Sequence, residues 1–188
     1  MNTSHTRTSG FTLLELLVVI SIIGLISAVV VSSLTIARVR SRNANRLQEV
    51  NTYTKAAEIY FDAAGQYPGS LTSYRCLGRT SSQTCFGGIA GDDTLLSQFR
   101  GVVSGEPPAG DEGGLDTYTG YNYACSDSSC NGYYIRYALE GTGESCASGS
   151  LVVNSDFASA YTYCQVVRCQ LGASPVRSAG ATSAYVCQ

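Results

Sequence analysis

The longest apolar segment of the chain lies near its N-terminus and contains no charged side chain. It runs from Leu16 to Ala37, with the sequence LLVVISIIGLISAVVVSSLTIA. As an α-helix this segment would be about 33 Å long, enough to cross the hydrocarbon core of a bilayer. A removable secretory signal has an apolar core of only about 7–15 residues. We therefore expect the segment to stay attached to the protein as a membrane-spanning helix.

A second helical pattern follows directly after Ala37. Apolar residues recur at steps of three, four or seven positions, at Leu47, Val50, Ala57, Phe61 and Ala64. Charged residues are predicted largely on the opposite side of the helix, at Arg42, Arg46, Glu49, Lys55, Glu58 and Asp62. This spacing is typical of an amphipathic helix that packs against a domain along one side.

The two helical patterns are predicted to form one continuous helix. Residues 11–67 contain no proline, and Gly65 followed by Pro68 is typical of a helix end. We therefore predict a single helix from about Thr12 to about Ala64. Because such a helix cannot bury its own apolar side, the rest of the chain must supply the domain that covers its second half.

The remainder of the chain is rich in Gly, Ser, Thr and Tyr, which predicts short strands joined by turns. One short helix is expected from Asp92 to Phe99, with Asp92 as its N-cap and Leu95, Leu96 and Phe99 pointing inward. The stretches Tyr118–Cys125 and Tyr133–Leu139 alternate and predict an antiparallel hairpin. The expected inward positions of the hairpin are Tyr121, Tyr123, Tyr133, Ile135, Tyr137 and Leu139.

Weaker strands are predicted to join this hairpin near Leu151–Asn154, Tyr161–Val167 and Ala184–Cys187. The predicted fold class is therefore α+β, in which a long N-terminal α-helix packs on a small antiparallel β-sheet head. Most of the 13 tyrosines are expected to face the core of that head, rather than to form a surface on which bases or sugars stack.

Charge and histidine content exclude several classes of function. Lys and Arg number 12 against 14 Asp and Glu, which gives a net charge of −2 and argues against a nucleic-acid binder. The chain has one histidine, His5, which lies ahead of every predicted element. A hydrolase with a histidine base therefore has no candidate residue in the folded part, and we expect no enzymatic activity.

All eight cysteines lie beyond the long helix, at Cys76, Cys85, Cys125, Cys130, Cys146, Cys164, Cys169 and Cys187. This number favours an oxidising compartment and disulfide bonds. The pairs suggested by short spacing are Cys76–Cys85, Cys125–Cys130 and Cys164–Cys169, which leaves Cys146–Cys187. The alternative is a zinc site, because the spacing C-x4-C occurs twice, but that spacing is loose for zinc.

The second candidate metal site is an acidic loop. Glu106, Asp111, Glu112 and Asp116 lie among glycines and prolines and could offer oxygen ligands to calcium. Their spacing is not that of an EF-hand, so a solvated loop is the preferred interpretation. We therefore predict no cofactor, with calcium as the alternative.

The junction Ser9–Leu17, with the sequence SGFTLLELL, is the most specific feature of the chain. Together with the apolar helix that follows, it resembles the N-terminal motif of type IV prepilins and of the pseudopilins of type II secretion. The resemblance is close over residues 7–40 and weaker through Gly65-Gln66-Tyr67-Pro68. It implies that a prepilin peptidase cuts after Gly10 and methylates the new terminal amine on Phe11.

Glu15 is a carboxylate at the edge of the apolar run, where burial at mid-bilayer would cost on the order of 3 kcal/mol. After cleavage, the amine of Phe11 would lie four residues earlier on the same helical face. That amine, or the amine of a neighbouring subunit, could neutralise Glu15 during assembly. The alternative is that Thr12 and Glu15 form a capping box at an ordinary helix start.

The resemblance also implies an organisation and a function. The segments expected are a leader at 1–10, a membrane and assembly helix at 11–37, an amphipathic helix at 38–65, and a globular head at 66–188 with a loop region at 66–117 and a β-sheet region at 118–188. The protein would be a structural subunit of a type IV pilus-like surface filament. The alternatives are a type II secretion pseudopilin and a single-pass anchored adhesion domain that does not polymerise.

The expected partners follow from the same resemblance. They are the prepilin peptidase, other copies of this chain or other pilins, an inner-membrane assembly platform and membrane lipid, with no nucleic acid. Before assembly the subunit would cross the cytoplasmic membrane once with its N-terminus in the cytoplasm, and after assembly it would lie in an extracellular filament.

Four arginines follow the apolar run, namely Arg38, Arg40, Arg42 and Arg46. The positive-inside rule would place them in the cytoplasm, but the eight cysteines favour an exported head and are the stronger indication. Three roles remain open for these arginines: contact with anionic headgroups, a solvated helix face, or charge pairs between subunits.

Overall fold

The computed structural model of the protein describes residues 11–70, 72–85, 88–109, 120–153, 160–170, 172–177 and 185–188. The helices are α1 (Leu13–Ala64) and α2 (Asp93–Arg100). The strands are β1 (Arg75–Cys76), β2 (Thr84–Cys85), β3 (Ile89–Ala90), β4 (Asn122–Cys125), β5 (Tyr133–Glu140), β6 (Ser150–Val153), β7 (Tyr161–Arg168), β8 (Pro175–Arg177) and β9 (Tyr185–Cys187). The chain divides into two compact units, Met1–Ser41 and Arg42–Gln188.

Helix α1 is continuous over 52 residues, and its predicted bounds are confirmed. It ends at Ala64, and the next residue is Gly65, whose φ of 74° lies in the left-handed region that glycine adopts without steric cost. The amide of Gly65 donates to the carbonyl of Phe61 at 2.8 Å and so satisfies one of the last helical acceptors.

The second unit is built around a five-stranded antiparallel sheet of order β1-β4-β5-β7-β6. The predicted hairpin is its centre: β4 pairs with β5, and Tyr123 lies opposite Ile135. All six predicted inward positions of the hairpin are buried. The α+β fold class is thereby confirmed.

Helix α2 forms where it was predicted, one residue longer at its C-terminal end. The side chain of Asp92 accepts a hydrogen bond from the amide of Leu95 at 2.8 Å, so Asp92 is its N-cap. Leu95, Leu96 and Phe99 are buried, as expected. The short strands β1, β2 and β3 were not predicted, because two-residue strands leave no periodic pattern.

The main core lies between α1 and one face of the sheet, and tyrosine rings fill much of it. Val50, Tyr53 and Ala57 on α1 are fully buried there. The ring of Tyr53 meets Phe99 edge to face at 5.1 Å between centroids, and Tyr123 stacks on Tyr133 at 5.5 Å. Such pairs add about 0.5–1.5 kcal/mol each beyond the burial of their area.

Two positions on α1 differ from the amphipathic prediction. Ala64 is exposed, because it lies in the last turn of the helix, beyond the buried positions Ala56 and Ala57. Arg46 is buried, although it was predicted on the solvent side. The burial of Arg46 is explained by its ion pair with the carboxylate of Glu140.

The opposite face of the sheet is covered by the C-terminal segment. Strand β9 was predicted to extend the main sheet, but it pairs with β8 in a separate two-stranded sheet. The fully buried side-chain amide of Gln165 on β7 connects β9 to the main sheet in place of backbone pairing. This amide accepts from the backbone nitrogen of Tyr185 at 3.0 Å and donates to the carbonyl of Tyr185 at 2.9 Å. The backbone nitrogen of Cys187 also donates to the hydroxyl of Tyr134 at 2.9 Å.

Four disulfides cross-link the second unit and use all eight cysteines. The predicted pairs Cys76–Cys85 and Cys125–Cys130 are present. The other two predicted pairs, Cys164–Cys169 and Cys146–Cys187, are wrong, and the structure joins Cys146–Cys164 and Cys169–Cys187.

The error has a geometric cause. Cys164 lies within β7 and Cys169 directly follows its end, so the chain between them is extended. Five extended residues span about 16 Å, whereas a disulfide needs Cα atoms within about 7 Å. Cys125 and Cys130 have the same spacing but are separated by the hairpin turn, which brings their Cα atoms to 4.8 Å.

Candidate processing and assembly site

The start of α1 is a reciprocal capping box made by Thr12 and Glu15. The hydroxyl of Thr12 accepts from the amide of Glu15 at 3.2 Å. One carboxylate oxygen of Glu15 accepts from the amide of Thr12 at 2.9 Å and from its hydroxyl at 2.8 Å. Two backbone donors of the first turn are thereby satisfied.

This geometry describes the uncleaved chain, in which the nitrogen of Phe11 is part of a peptide bond. A charged amine at Phe11 arises only after the bond to Gly10 is cut, so pairing of that amine with Glu15 belongs to the processed chain. Gly10 lies outside the described residues. Phe11 is 85% exposed, and nothing in the described part of the chain covers it.

The apolar half of α1 is exposed on all sides. An 18-residue window of it has a mean hydropathy of 2.8 and is 0% buried. By length and composition, α1 is the one helix among the described residues that could cross a membrane. The hydroxyls of Ser21 and Ser33 donate to carbonyls one turn earlier, at 2.7 Å to Val18 and at 3.0 Å to Val30, so they present no unpaired donor to hydrocarbon.

Residues 5–31 match the family model of the prokaryotic N-terminal methylation motif. The chain contains a prokaryotic N-terminal methylation motif. This methylation motif is the hallmark of type IV pilins and pseudopilins, and it overlaps both the predicted cleavage junction and the exposed apolar helix. No curated protein and no solved structure matches the chain significantly. The methylation motif therefore supports a type IV pilin-like or pseudopilin protein.

In the second unit, α1 is attached to the sheet through Glu140 at the end of β5. The carboxylate of Glu140 accepts from Arg42, at 2.8 Å from Nε, and forms an ion pair with Arg46 at 3.0 Å. The side-chain amide of Asn43 makes the two hydrogen bonds to the backbone of Glu140 that a neighbouring strand would make. It donates to the carbonyl of Glu140 and accepts from the backbone nitrogen of Glu140, both at 2.9 Å. The hydrogen bond from Arg42 is the main cause that lowers the pKa of Glu140.

Two further charged residues of α1, predicted on the solvent side, also bind the head. The hydroxyl of Tyr121 donates to Glu49, and that of Tyr67 donates to Glu58 at 3.0 Å. Burial first, and the contact with Glu58 second, raise the pKa of Tyr67 to about 12. The charged residues of α1 therefore flank its buried positions, and some of them contact the head.

The described residues contain no cluster of three or more His, Cys, Asp or Glu side chains that could bind a metal ion. Of the acidic residues considered for calcium, Glu106 forms an ion pair with Arg100. Asp111, Glu112 and Asp116 lie outside the described residues. The best-defined pocket in the described part of the chain, beside Arg75 and Asp92, measures about 120 Å³. This is smaller than the roughly 300–1,000 Å³ typical of ligand sites.

The sequence marks Gly10, Phe11 and Glu15 as site residues but does not mark Glu140 and Asn43. No local pattern marks these two residues, since they meet across a separation of 97 positions. Arg42 and Arg46 were named without a partner, and the structure gives them one within the same chain.

Proposed function

We propose that the protein is a structural subunit of a type IV pilus-like surface filament. The precursor is stored in the cytoplasmic membrane, cut after Gly10 by a prepilin peptidase and methylated on Phe11. It then assembles with other copies or other pilins through its apolar helix. Proteins with this kind of motif are structural rather than enzymatic, which agrees with an assembly role.

One combination of observations supports the proposal: the methylation motif at residues 5–31 continues into a helix whose apolar side chains are exposed on every side. Apolar side chains exposed over so large an area are unfavourable in water, so they need contact with lipid before assembly and with other helices after it. The four disulfides of the second unit suit an extracellular environment.

Processing is tested by intact-mass analysis of protein extracted from its own membranes. The expected mass is that of a chain beginning at Phe11 with one added methyl group and four disulfides. Gly10→Val should block cleavage, because a larger side chain does not fit a peptidase site that accepts glycine. Gly24→Val is the matched control: a Cβ at Gly24 meets no atom within 4 Å, so this variant should still be cleaved. A wild-type chain that begins at Met1 would refute the proposal.

Assembly is tested separately by shearing cells and measuring the protein in the supernatant. A filament subunit should appear there as long fibres that contain the processed chain. A processed chain that stays entirely with the membrane fraction would favour the anchored adhesion domain instead. Loss of secretion of other proteins on deletion, without sheared filaments, would favour the secretion pseudopilin.

A further inference from the structure

The four arginines that follow the apolar run divide into two pairs that differ in their contacts. Arg42 and Arg46 bind Glu140 within the second unit. Arg38 and Arg40 are exposed, and none of the ion pairs found among the described residues includes them. No acidic residue lies between Leu16 and Ser41 either. A counter-charge for these two guanidinium groups, where one is bound, therefore comes from outside the chain.

Their depth along α1 is fixed by the apolar run. Ala37 is its last residue, so Arg38 and Arg40 lie within about 5 Å of its end along the helix axis. A run of this length matches the hydrocarbon core of a bilayer, and the next turn of helix then lies in the headgroup layer. Long arginine side chains at that depth reach phosphate oxygens.

The angular positions of the two arginines select the kind of partner. Residues two apart on an α-helix are separated by about 200°, so Arg38 and Arg40 project from opposite sides of α1. A partner protein that packs on one side of the helix can neutralise one of them but not the other. A headgroup layer surrounds the helix and can neutralise both. The planar fork of arginine also binds phosphate through two parallel hydrogen bonds.

We propose that Arg38 and Arg40 bind the phosphate groups of anionic phospholipids around the stored subunit and fix the depth of its helix in the membrane. The proposal rests on the proposed function in one respect: the apolar helix must lie in a bilayer before assembly. The bound lipids would be released when the subunit leaves the membrane.

The test uses the full chain reconstituted into nanodiscs that contain equal amounts of phosphatidylglycerol and phosphatidylcholine. Native mass spectrometry counts the lipids that stay bound when the protein is released. Wild type should retain phosphatidylglycerol in preference to phosphatidylcholine. Each of Arg38→Gln and Arg40→Gln should lower that preference about fivefold, and the double variant should abolish it.

Arg177→Gln is the matched control, because Arg177 is an exposed arginine on β8 and its loss changes the net charge equally. It should leave lipid retention as in wild type. If the double variant is not recovered in membranes, the two single variants provide the same test. Unchanged retention in the variants would overturn the proposal. If the variants also lost sheared filaments, the two arginines would be assigned to contacts between subunits.

The same spectra give the N-terminal residue and so separate this proposal from the proposed function. A chain that begins at Phe11 but shows no dependence of lipid retention on Arg38 and Arg40 would refute only the lipid contact. A chain that begins at Met1 but loses phosphatidylglycerol in the double variant would refute processing and leave the lipid contact supported.

Discussion

Replacement of Glu140 by glutamine tests how α1 is attached to the sheet. The change keeps the size and the backbone contacts with Asn43 but removes the negative charge shared by two arginines. These arginines differ in exposure: the side chain of Arg46 is 9% exposed and that of Arg42 is 42% exposed. An unpaired charge that is nearly buried is costly, whereas an exposed one is solvated by water.

The exposures give an expected order of magnitudes. Glu140→Gln leaves Arg46 without a counter-charge and should lower the free energy of unfolding by about 3 kcal/mol. Arg42→Gln should cost only about 0.5–1 kcal/mol, although its hydrogen bond is the main cause of the lowered pKa of Glu140, because water screens a side chain that is 42% exposed. Arg46→Gln should lie between them, at about 2 kcal/mol, because Glu140 stays paired with Arg42. The coupling energy of Arg46 with Glu140 should exceed that of Arg42 with Glu140.

Urea unfolding of the full chain in a non-ionic detergent measures these values. The chain has 13 tyrosines and no tryptophan, so near-ultraviolet circular dichroism of tyrosine reports the packing of the head. Lys55→Gln is the control: it removes an exposed charge from the same helix and should change stability by less than about 0.5 kcal/mol. Equal costs for Arg42→Gln and Glu140→Gln would contradict the role given to the buried Arg46, and so would a Glu140→Gln variant as mild as the control.

Three further predictions follow from the same structure. The folded pKa of Glu140 is lowered, so its stabilising contribution is present above its unfolded pKa of about 4.3 and is lost as pH falls through the folded value. The difference in the free energy of unfolding between wild type and Glu140→Gln should therefore shrink in acid. Urea titrations at several pH values would measure this difference. Alkylation of the native exported protein without reductant should label no cysteine, and labelling of two or more would contradict the disulfide pattern. Glu15→Gln should still be inserted and cleaved but should yield no sheared filament, because an ammonium at Phe11 would lose its partner in hydrocarbon; wild-type amounts of filament would show that the capping box is its only role, since glutamine fills that position.

Features encoded locally were predictable from the sequence. The bounds of α1 follow from an unbroken apolar and amphipathic pattern that stops at Gly65. The hairpin of β4 and β5 follows from large apolar residues at every second position on both sides of a turn. The N-cap at Asp92 and the capping box at Thr12 are likewise set by residues three positions apart.

Features that depend on the packed fold were not predictable. The burial of Arg46 depends on Glu140, which lies on a strand far along the chain. The pairs Cys146–Cys164 and Cys169–Cys187 depend on which residues face each other across the sheet, and sequence spacing does not encode this. The position of β9 depends on the buried amide of Gln165, because a side chain there replaces a strand.

The placement of the disulfides has a mechanical consequence. Every cross-link joins two points between Cys76 and Cys187, and α1 contains no cysteine. A force applied along α1 therefore reaches the head through the backbone that follows Ala64 and through non-covalent contacts, such as the packing of Val50 and Tyr53 and the ion pairs of Glu140. Under load the helix would be pulled from the sheet before the cross-linked strands separate, and reduction of the disulfides would change the strength of the head without changing that first point of failure.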